Sequence, residues 1–325
     1  MKDPALRTMG MKVFSRQACV RLGVAGLWAV MGCWLLGYLG KWWWFFDLLS
    51  HFRLQAIAAF AVLALWLVVF GKRRHALVAG AVLVVAAVPV APYWMPVKLT
   101  GAGPGLTLFS YNVLASNSNK NGVLKMIRES DADVVALYEV DAAWVAALEE
   151  LADVYPERRY DARQDNFGNA LLSKVKLDEV EVIRSPTSDL PSLVVGISEP
   201  GLECRLICTH PVPPMGAELA RLRDGQLREL AERVRHEGRD DVVLAGDFNA
   251  TPWSAEMGQF REAGLRDARL GYGLSPTWMR KLPWFAIPID HVLVGPGIEV
   301  LEAKVLPATG SDHNPVFVRL RNLRK

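Results

Sequence analysis

The sequence predicts an α/β or α+β sandwich preceded by three membrane-spanning helices. Three observations lead there. Long uncharged apolar runs are confined to the first hundred residues, short apolar strands alternate with helical stretches after Leu106, and those strands end in polar residues.

The 325-residue chain has room for two units. Residues 1–99 hold eleven Lys and Arg against two acids, Asp3 and Asp47, a balance of +9. The rest holds 26 basic and 32 acidic residues, a balance of −6. A basic segment thus precedes a mildly acidic domain. That sign disfavours a generic high-affinity duplex binder, which neutralises phosphates with clustered Lys and Arg.

Residues 1–98 read as a membrane anchor. Uncharged runs cover about 22–39, 54–70 and 76–97, near the length of about 20 apolar residues that a bilayer core needs. A cleaved signal peptide is disfavoured, because two more apolar runs follow the first and no small-residue cleavage site ends it. Lys2, Arg7, Lys12, Arg16 and Arg21 precede the first run, and Lys72, Arg73 and Arg74 separate the second from the third. The positive-inside rule puts both clusters in the cytoplasm. The KWWWFFD stretch between the first two runs would then lie at the outer interface, where Trp is enriched. Three spans place the following domain outside: an inner-membrane, multi-pass protein with a periplasmic or extracytoplasmic domain. Residues 99–105, LTGAGPG, read as a short linker to a domain over 106–325.

In that domain the strand-like runs are LTLFSYNVL, DVVALYEV, NALLSK, SLVVGIS, CRLICTH, DVVLAGDFN, IDHVLV and PVFVRL. Ala217 to His236 has apolar residues at near-helical spacing, and Asp141 is an N-cap for a helix reaching Leu151. Cys204 and Cys208 lie four apart on one strand, about 13 Å at 3.3 Å per residue. A disulfide needs Cα atoms within about 7 Å, so these two do not pair with each other. No zinc spacing is visible, and no motif points to a protein partner.

The strand ends carry Asn112, Glu139, His210, Asp247, Asn249, Asp290, Asp312 and His313. Carboxylates and amides suit a hard, oxygen-loving cation, and the two histidines exchange protons near neutral pH. Each alone has a bland reading. Asp312 in GSDHNP is an ordinary turn residue, His210 can be a satisfied structural histidine, and His291 points to the opposite strand face.

Together, GDFN at 246–249, SDHNPV at 311–316, THP at 209–211, IDHVLV at 289–294, SYN at 110–112 and YEV at 138–140 resemble the endonuclease/exonuclease/phosphatase superfamily. That group includes pancreatic-type deoxyribonuclease, AP endonucleases, neutral sphingomyelinases and inositol polyphosphate phosphatases. The resemblance runs from about Thr107 to Leu320. It implies a four-layered α/β sandwich of two packed sheets flanked by helices, and a magnesium ion, with manganese as a substitute. By the same resemblance Glu139 is the principal metal carboxylate, Asn112 assists at the metal or phosphate, and Asp312 completes the metal or histidine environment. His313, oriented by Asp290, activates water or stabilises the phosphate. Asp247 and Asn249 position the nucleophile and phosphate, and His210 donates to the phosphate or leaving oxygen. Tyr138 stands where many relatives carry Gln, which bears on a supporting contact and not on Glu139. The THP motif resembles the deoxyribonuclease and sphingomyelinase branches more than the AP endonucleases.

FGNALLSK at 167–174 lies near the active edge in relatives, which makes Asn169, Arg163 and Lys174 candidate substrate contacts. PTWMRKLPWFAIPID at 276–290 adds Trp278, with further aromatic rings and two cations suited to a lipid interface or to stacking on bases. The expected function is therefore a membrane-anchored phosphodiesterase acting on lipid headgroups or other small phosphoesters. A nuclease cleaving DNA or RNA is the alternative, and a non-catalytic scaffold that keeps the fold is the third reading.

Overall fold

A computed structural model describes residues 15–99, 104–238 and 240–323. Lys2, Arg7, Lys12 and most of the expected linker lie outside the described residues. Contacts divide the chain into two compact units, Met1–Leu35 with Arg53–Val88, and Leu36–Phe52 with Pro89–Lys325. This division cuts across the expected boundary at residue 98.

Among the described residues of the first unit there are three helices, α1 (Arg16–Leu36), α3 (Arg53–Val69) and α4 (Arg73–Ala87). Leu27, Phe60, Leu67, Ala76, Ala79 and Ala86 form its core. The expectation of three spans is corrected here. Among the described residues one helix is long and apolar enough to cross a membrane, Arg16–Leu39. A second candidate is a broken pair, α2 (Trp44–Ser50) with α3, bent by 60°. Helix α4 has only 15 residues, about 22 Å at 1.5 Å per residue, against a hydrocarbon core of about 30 Å. Pro89 and Pro92 follow it closely and cannot continue a helix, so an uncharged run of suitable length does not become a span. The outside placement of the second domain rested on three crossings and falls with that count.

The second unit is a sandwich of two six-stranded sheets. Its strands are β1 (Leu106–Asn112), β2 (Val134–Tyr138), β3 (Glu157–Asp161), β4 (Asn169–Ser173), β5 (Asp178–Arg184) and β6 (Pro191–Glu199). They continue with β7 (Leu202–Thr209), β8 (Val242–Asp247), β9 (Arg266–Asp267), β10 (Asp290–Val294), β11 (Ile298–Val305) and β12 (Val316–Asn322). The sheet orders are β11-β12-β1-β2-β4-β3 and β5-β6-β7-β8-β10-β9. Each has one parallel pair at its centre, β1 with β2 and β7 with β8.

Alternation along the strands builds the layers. Leu108, Val134, Ala136 and Tyr138 of the first sheet pack with Val195, Leu206, Cys208, Val243, Ala245 and Val292 of the second. The intervening residues Phe109, Val135 and Leu137 face α5 (Lys120–Ser130) and α6 (Ala142–Leu148). On the outer face of the second sheet, Val194, Ile207 and Leu244 meet α7 (Ala217–Glu237) and α8 (Met257–Glu262). All eight expected strands are present. The Asp141 carboxylate accepts from the Trp144 backbone at 2.8 Å, the cap expected there. Helix α5 and the edge strands β3, β5, β9 and β11 were not anticipated.

Cys204 and Cys208 are free and buried between the sheets, and burial pushes both thiols up to about 12. Trp144 is fully buried, and Trp144→Ala should cost about 3–5 kcal/mol of stability. Met215, 76% exposed, should lose no more than about 0.5 kcal/mol on conversion to Ala. Urea unfolding followed by tryptophan-independent circular dichroism checks both values.

Candidate active site

Two parallel strand pairs bring their carboxyl ends to one rim. Asn112 ends β1, Glu139 follows β2, His210 follows β7 and Asp247 ends β8. Asp290 opens β10 and lies opposite Asp247 in the antiparallel register, so it joins the same rim. Gly246 pairs with Thr209 across the parallel strands, and a Cβ there would collide with the Thr209 carbonyl oxygen. Only glycine lets β7 and β8 close at this point. Glu139 (φ 63°) and Asn249 (φ 49°) both adopt left-handed backbone, a conformation that costs of order 1–3 kcal/mol outside glycine, least for Asn. Such strain at two polar residues of one rim marks a functional site.

Asp247 is the hub. Its Oδ2 accepts from Asn112 Nδ2 at 3.1 Å and lies 3.5 Å from His210 Nε2 and 3.6 Å from His313 Nε2. Its Oδ1 accepts from the Asn249 backbone at 3.0 Å. Asn112 Nδ2 also donates to Glu139 Oε1 at 2.9 Å, while Glu139 Oε2 accepts from the Ala115 backbone at 3.1 Å. Asn249 Nδ2 donates to the Pro211 carbonyl at 2.9 Å. The Asp290 carboxylate straddles His313 Nδ1 at 3.0 and 3.2 Å.

Asp247, Asp290 and His313 present donor atoms within 4.8 Å of one another. Glu139 joins them through the shared Asn112 amide. The carboxylates gathered at this rim, Asp247, Asp290 and Glu139, fit a hard divalent cation, a set that differs from the expected Glu139, Asn112 and Asp312. Asp312 Oδ2 accepts from Trp278 Nε1 at 3.1 Å, its Oδ1 is buried with no hydrogen-bond partner among the described residues, and its charge acts on His313. Two further features fit a polar ligand here. His210 Nδ1 and Asn169 Oδ1 are buried with no hydrogen-bond partner among the described residues.

Burial raises the cost of ionising Asp247, yet the neighbouring His313 and His210 outweigh it and hold the carboxyl well below the usual range. Burial also opposes charge on His313, but Asp290 and Asp247 overcome it and raise the ring to about 10. Without a cation beside these carboxylates the charged ring is favoured, and both of its nitrogens then donate.

The remaining expected residues divide. Asn169 begins β4 opposite Tyr138, at the active rim. The Trp278 ring lies 6.4 Å from the His313 ring. Arg163 is paired with Asp165 at 2.5 Å. Lys174 is not brought to the site. It follows Ser173, whose register partner Val134 begins β2, and it pairs with Asp131 at that far end. Sequence reasoning missed Ser311, whose hydroxyl donates to the Asn112 carbonyl at 2.8 Å and accepts from the His313 backbone at 3.0 Å. Thr277 was also missed, and its Oγ1 accepts from the Ile289 and Asp290 backbones, both at 3.0 Å. Ser311 stood inside the SDHNPV motif and Thr277 inside PTWMRKLPWFAIPID, where the neighbouring charged and aromatic residues drew the reading instead. A wide cleft lined by Asp178, Glu179, Arg205, Asp240 and Asp241 lies at the opposite ends of β7 and β8, far from these groups, and its acidic lining suits no anion.

A rim of this kind on paired sheets defines a phosphoester-processing α/β sandwich. The profile of the Endonuclease/Exonuclease/phosphatase family matches residues 109–313, and the chain belongs to that family. It is 38% identical over 98 residues to a UPF0294 protein of Erwinia tasmaniensis, a match covering 29% of this chain and only 33% of that protein. Among solved structures it is similar to humanized TDP2 of D. rerio (TM-score 0.58, 23% identity, 67% of this chain and 99% of that one). An endonuclease/exonuclease/phosphatase from Beutenbergia cavernae (0.55, 22%, 68% and 72%) and the human Nocturnin catalytic domain (0.56, 20%, 67% and 94%) share the fold.

The raised His313 has a signed consequence. Its folded value exceeds the ordinary 6.5, so its contribution to stability is complete below that pH and is lost as pH rises through about 10. In metal-free protein, an NMR titration should find the His313 ring protonated past pH 8. Asp290→Asn should move its midpoint down by more than one unit.

Proposed function

We propose that this chain is a membrane-attached, divalent-metal-dependent phosphodiesterase whose substrates are phosphodiesters of lipid headgroups. One observation carries the choice of substrate. The loop that supplies Trp278, in contact with Asp312 and near His313, continues into Leu282, Trp284 and Phe285, which are 54%, 84% and 55% exposed. Arg280 and Lys281 precede them. Apolar rings beside cations favour an anionic bilayer surface. The apolar helix Arg16–Leu39 supports attachment to that bilayer. The domain's balance of −6 weighs against nucleic acid.

When bound, magnesium or manganese would neutralise phosphate charge and polarise an attacking water, with the Glu139 and Asp247 carboxylates as the groups to hold it and the Asn112 amide donating to both. The protein's own residues supply the rest. Protonated His313, oriented by Asp290, donates to a non-bridging phosphate oxygen. The Asp247 carboxylate, anionic at neutral pH, orients the entering water. His210 and Asn249 stand beside Asp247, where they meet the phosphate or the leaving oxygen.

The full-length chain in detergent, with Mg²⁺, should hydrolyse anionic phospholipid vesicles and bis(4-nitrophenyl) phosphate. EDTA should stop both reactions, and His313→Ala should slow both by about 10²–10⁴-fold. Trp284→Ala should slow vesicle hydrolysis about tenfold, the equivalent of roughly 1.4 kcal/mol of interfacial binding, and leave the soluble ester unaffected. Rapid cleavage of plasmid DNA or RNA with vesicles untouched would overturn the lipid reading in favour of a nuclease. No hydrolysis of any substrate would point to a scaffold.

A further inference from the structure

The loop after β8 carries Asn249 and continues through Ala250, Thr251, Pro252, Trp253, Ser254 and Ala255. Its backbone lacks a sheet partner, yet it is held at nearly every residue. From within the family domain, His291 Nε2 donates to the Ala250 carbonyl and Arg261 Nη1 donates to the Pro252 carbonyl, both at 2.8 Å. The remaining restraints come largely from residues 36–52, which belong to the same compact unit although the family match begins only at residue 109.

Asp47 of α2 and His51 just after it supply two each. Asp47 Oδ1 accepts from the Ala255 backbone at 2.8 Å. Its Oδ2 accepts from Ser254 Oγ and from Arg223 Nη2, both at 2.8 Å. The Arg223 guanidinium, on α7, spans the gap: its Nη1 donates to the Asn249 carbonyl at 3.2 Å. One helical turn beyond Asp47, His51 Nδ1 accepts from the Thr251 backbone at 3.2 Å and lies 3.0 Å from Thr251 Oγ1. Asp47, His51, Arg223, Thr251 and Ser254 are all at least 96% buried. A carboxylate and a guanidinium taken this far out of water must be fully partnered: they pair with each other, Arg223 pairs also with Asp224, and the remaining partners are backbone and side-chain groups of one loop.

We infer that Asp47 and His51 are positioning residues of the active site: the α2 segment, from outside the family domain, clamps the loop that presents Asn249 beside His210 and Asp247. The loop's left-handed Asn249 needs such restraint, because an unsupported loop would relax toward commoner backbone conformations. Misplacement of a catalytic side chain by an ångström costs up to about 10²-fold in rate. The inference about rate rests on the phosphodiesterase reading, whereas the clamp itself is a statement about the loop.

The test uses the full-length chain in detergent micelles. Hydrogen–deuterium exchange of the 248–256 peptide should rise in His51→Ala and in Asp47→Asn, with the β2 peptide 134–138 unchanged. On bis(4-nitrophenyl) phosphate with Mg²⁺, both variants should lose about tenfold in kcat with KM within about twofold, and His51→Asn, which keeps an acceptor near the Nδ1 position, should recover most of the loss. His51→Ala combined with Asn249→Ala should be no slower than Asn249→Ala alone, since both act through one side chain. Unchanged exchange at 248–256, or losses that multiply, would refute the clamp. Should Asp47→Asn melt below the assay temperature, the His51 variants decide. An inactive wild-type chain would sink the phosphodiesterase reading, and the exchange readout would then judge the clamp alone.

Discussion

Asp247 holds the two sheets to a common geometry. Its carboxylate closes β8 in one sheet and accepts from Asn112, which closes β1 in the other. A buried carboxylate without partners would be severely destabilising, so each contact that Asp247 makes is also a constraint on where a strand must end. His210 and His313 approach the same oxygen and supply the compensating charge. The fold and the chemistry therefore make the same demand. Moving either sheet by a fraction of a residue would strand the carboxylate and separate the groups that handle phosphate.

This demand explains why the site was legible in the sequence and much of its surroundings was not. Glu139, His210, Asp247, Asp290 and His313 sit at strand ends inside short motifs, and apolar strands with period-two burial fix which end they occupy. The layered core follows from the same alternation. Helix α5 escaped notice because its sequence, KNGVLKMIRES, shows only three buried apolar residues, Val123, Leu124 and Ile127. The edge strand β5 is mostly exposed and reads as polar loop. Lys174 was misplaced for a different reason: a motif near the active edge does not say which end of its strand a residue occupies, and the five residues of β4 carry Lys174 to the opposite end of the strand.

The first hundred residues show the limit of hydropathy. Absence of charge identified the apolar segments, but length and helix breaks decide whether a segment spans. Pro89 and Pro92 follow α4, and α2 meets α3 at a bend. Asp47 was visible as a lone acid in an aromatic stretch, yet nothing local connected it to Arg223, 176 residues away. A buried ion pair of that sequence separation is invisible to pattern reading, because the partners' own neighbourhoods carry no trace of it.

The closure of β7 on β8 at Gly246 has one more implication. His210 and Asp247 each lie one residue past the Thr209–Gly246 contact, so the separation of imidazole from carboxylate is inherited from how near two backbones come. A single hydrogen in place of a methyl sets that approach. The spacing of the reactive groups is thus governed by a residue that has no functional group of its own.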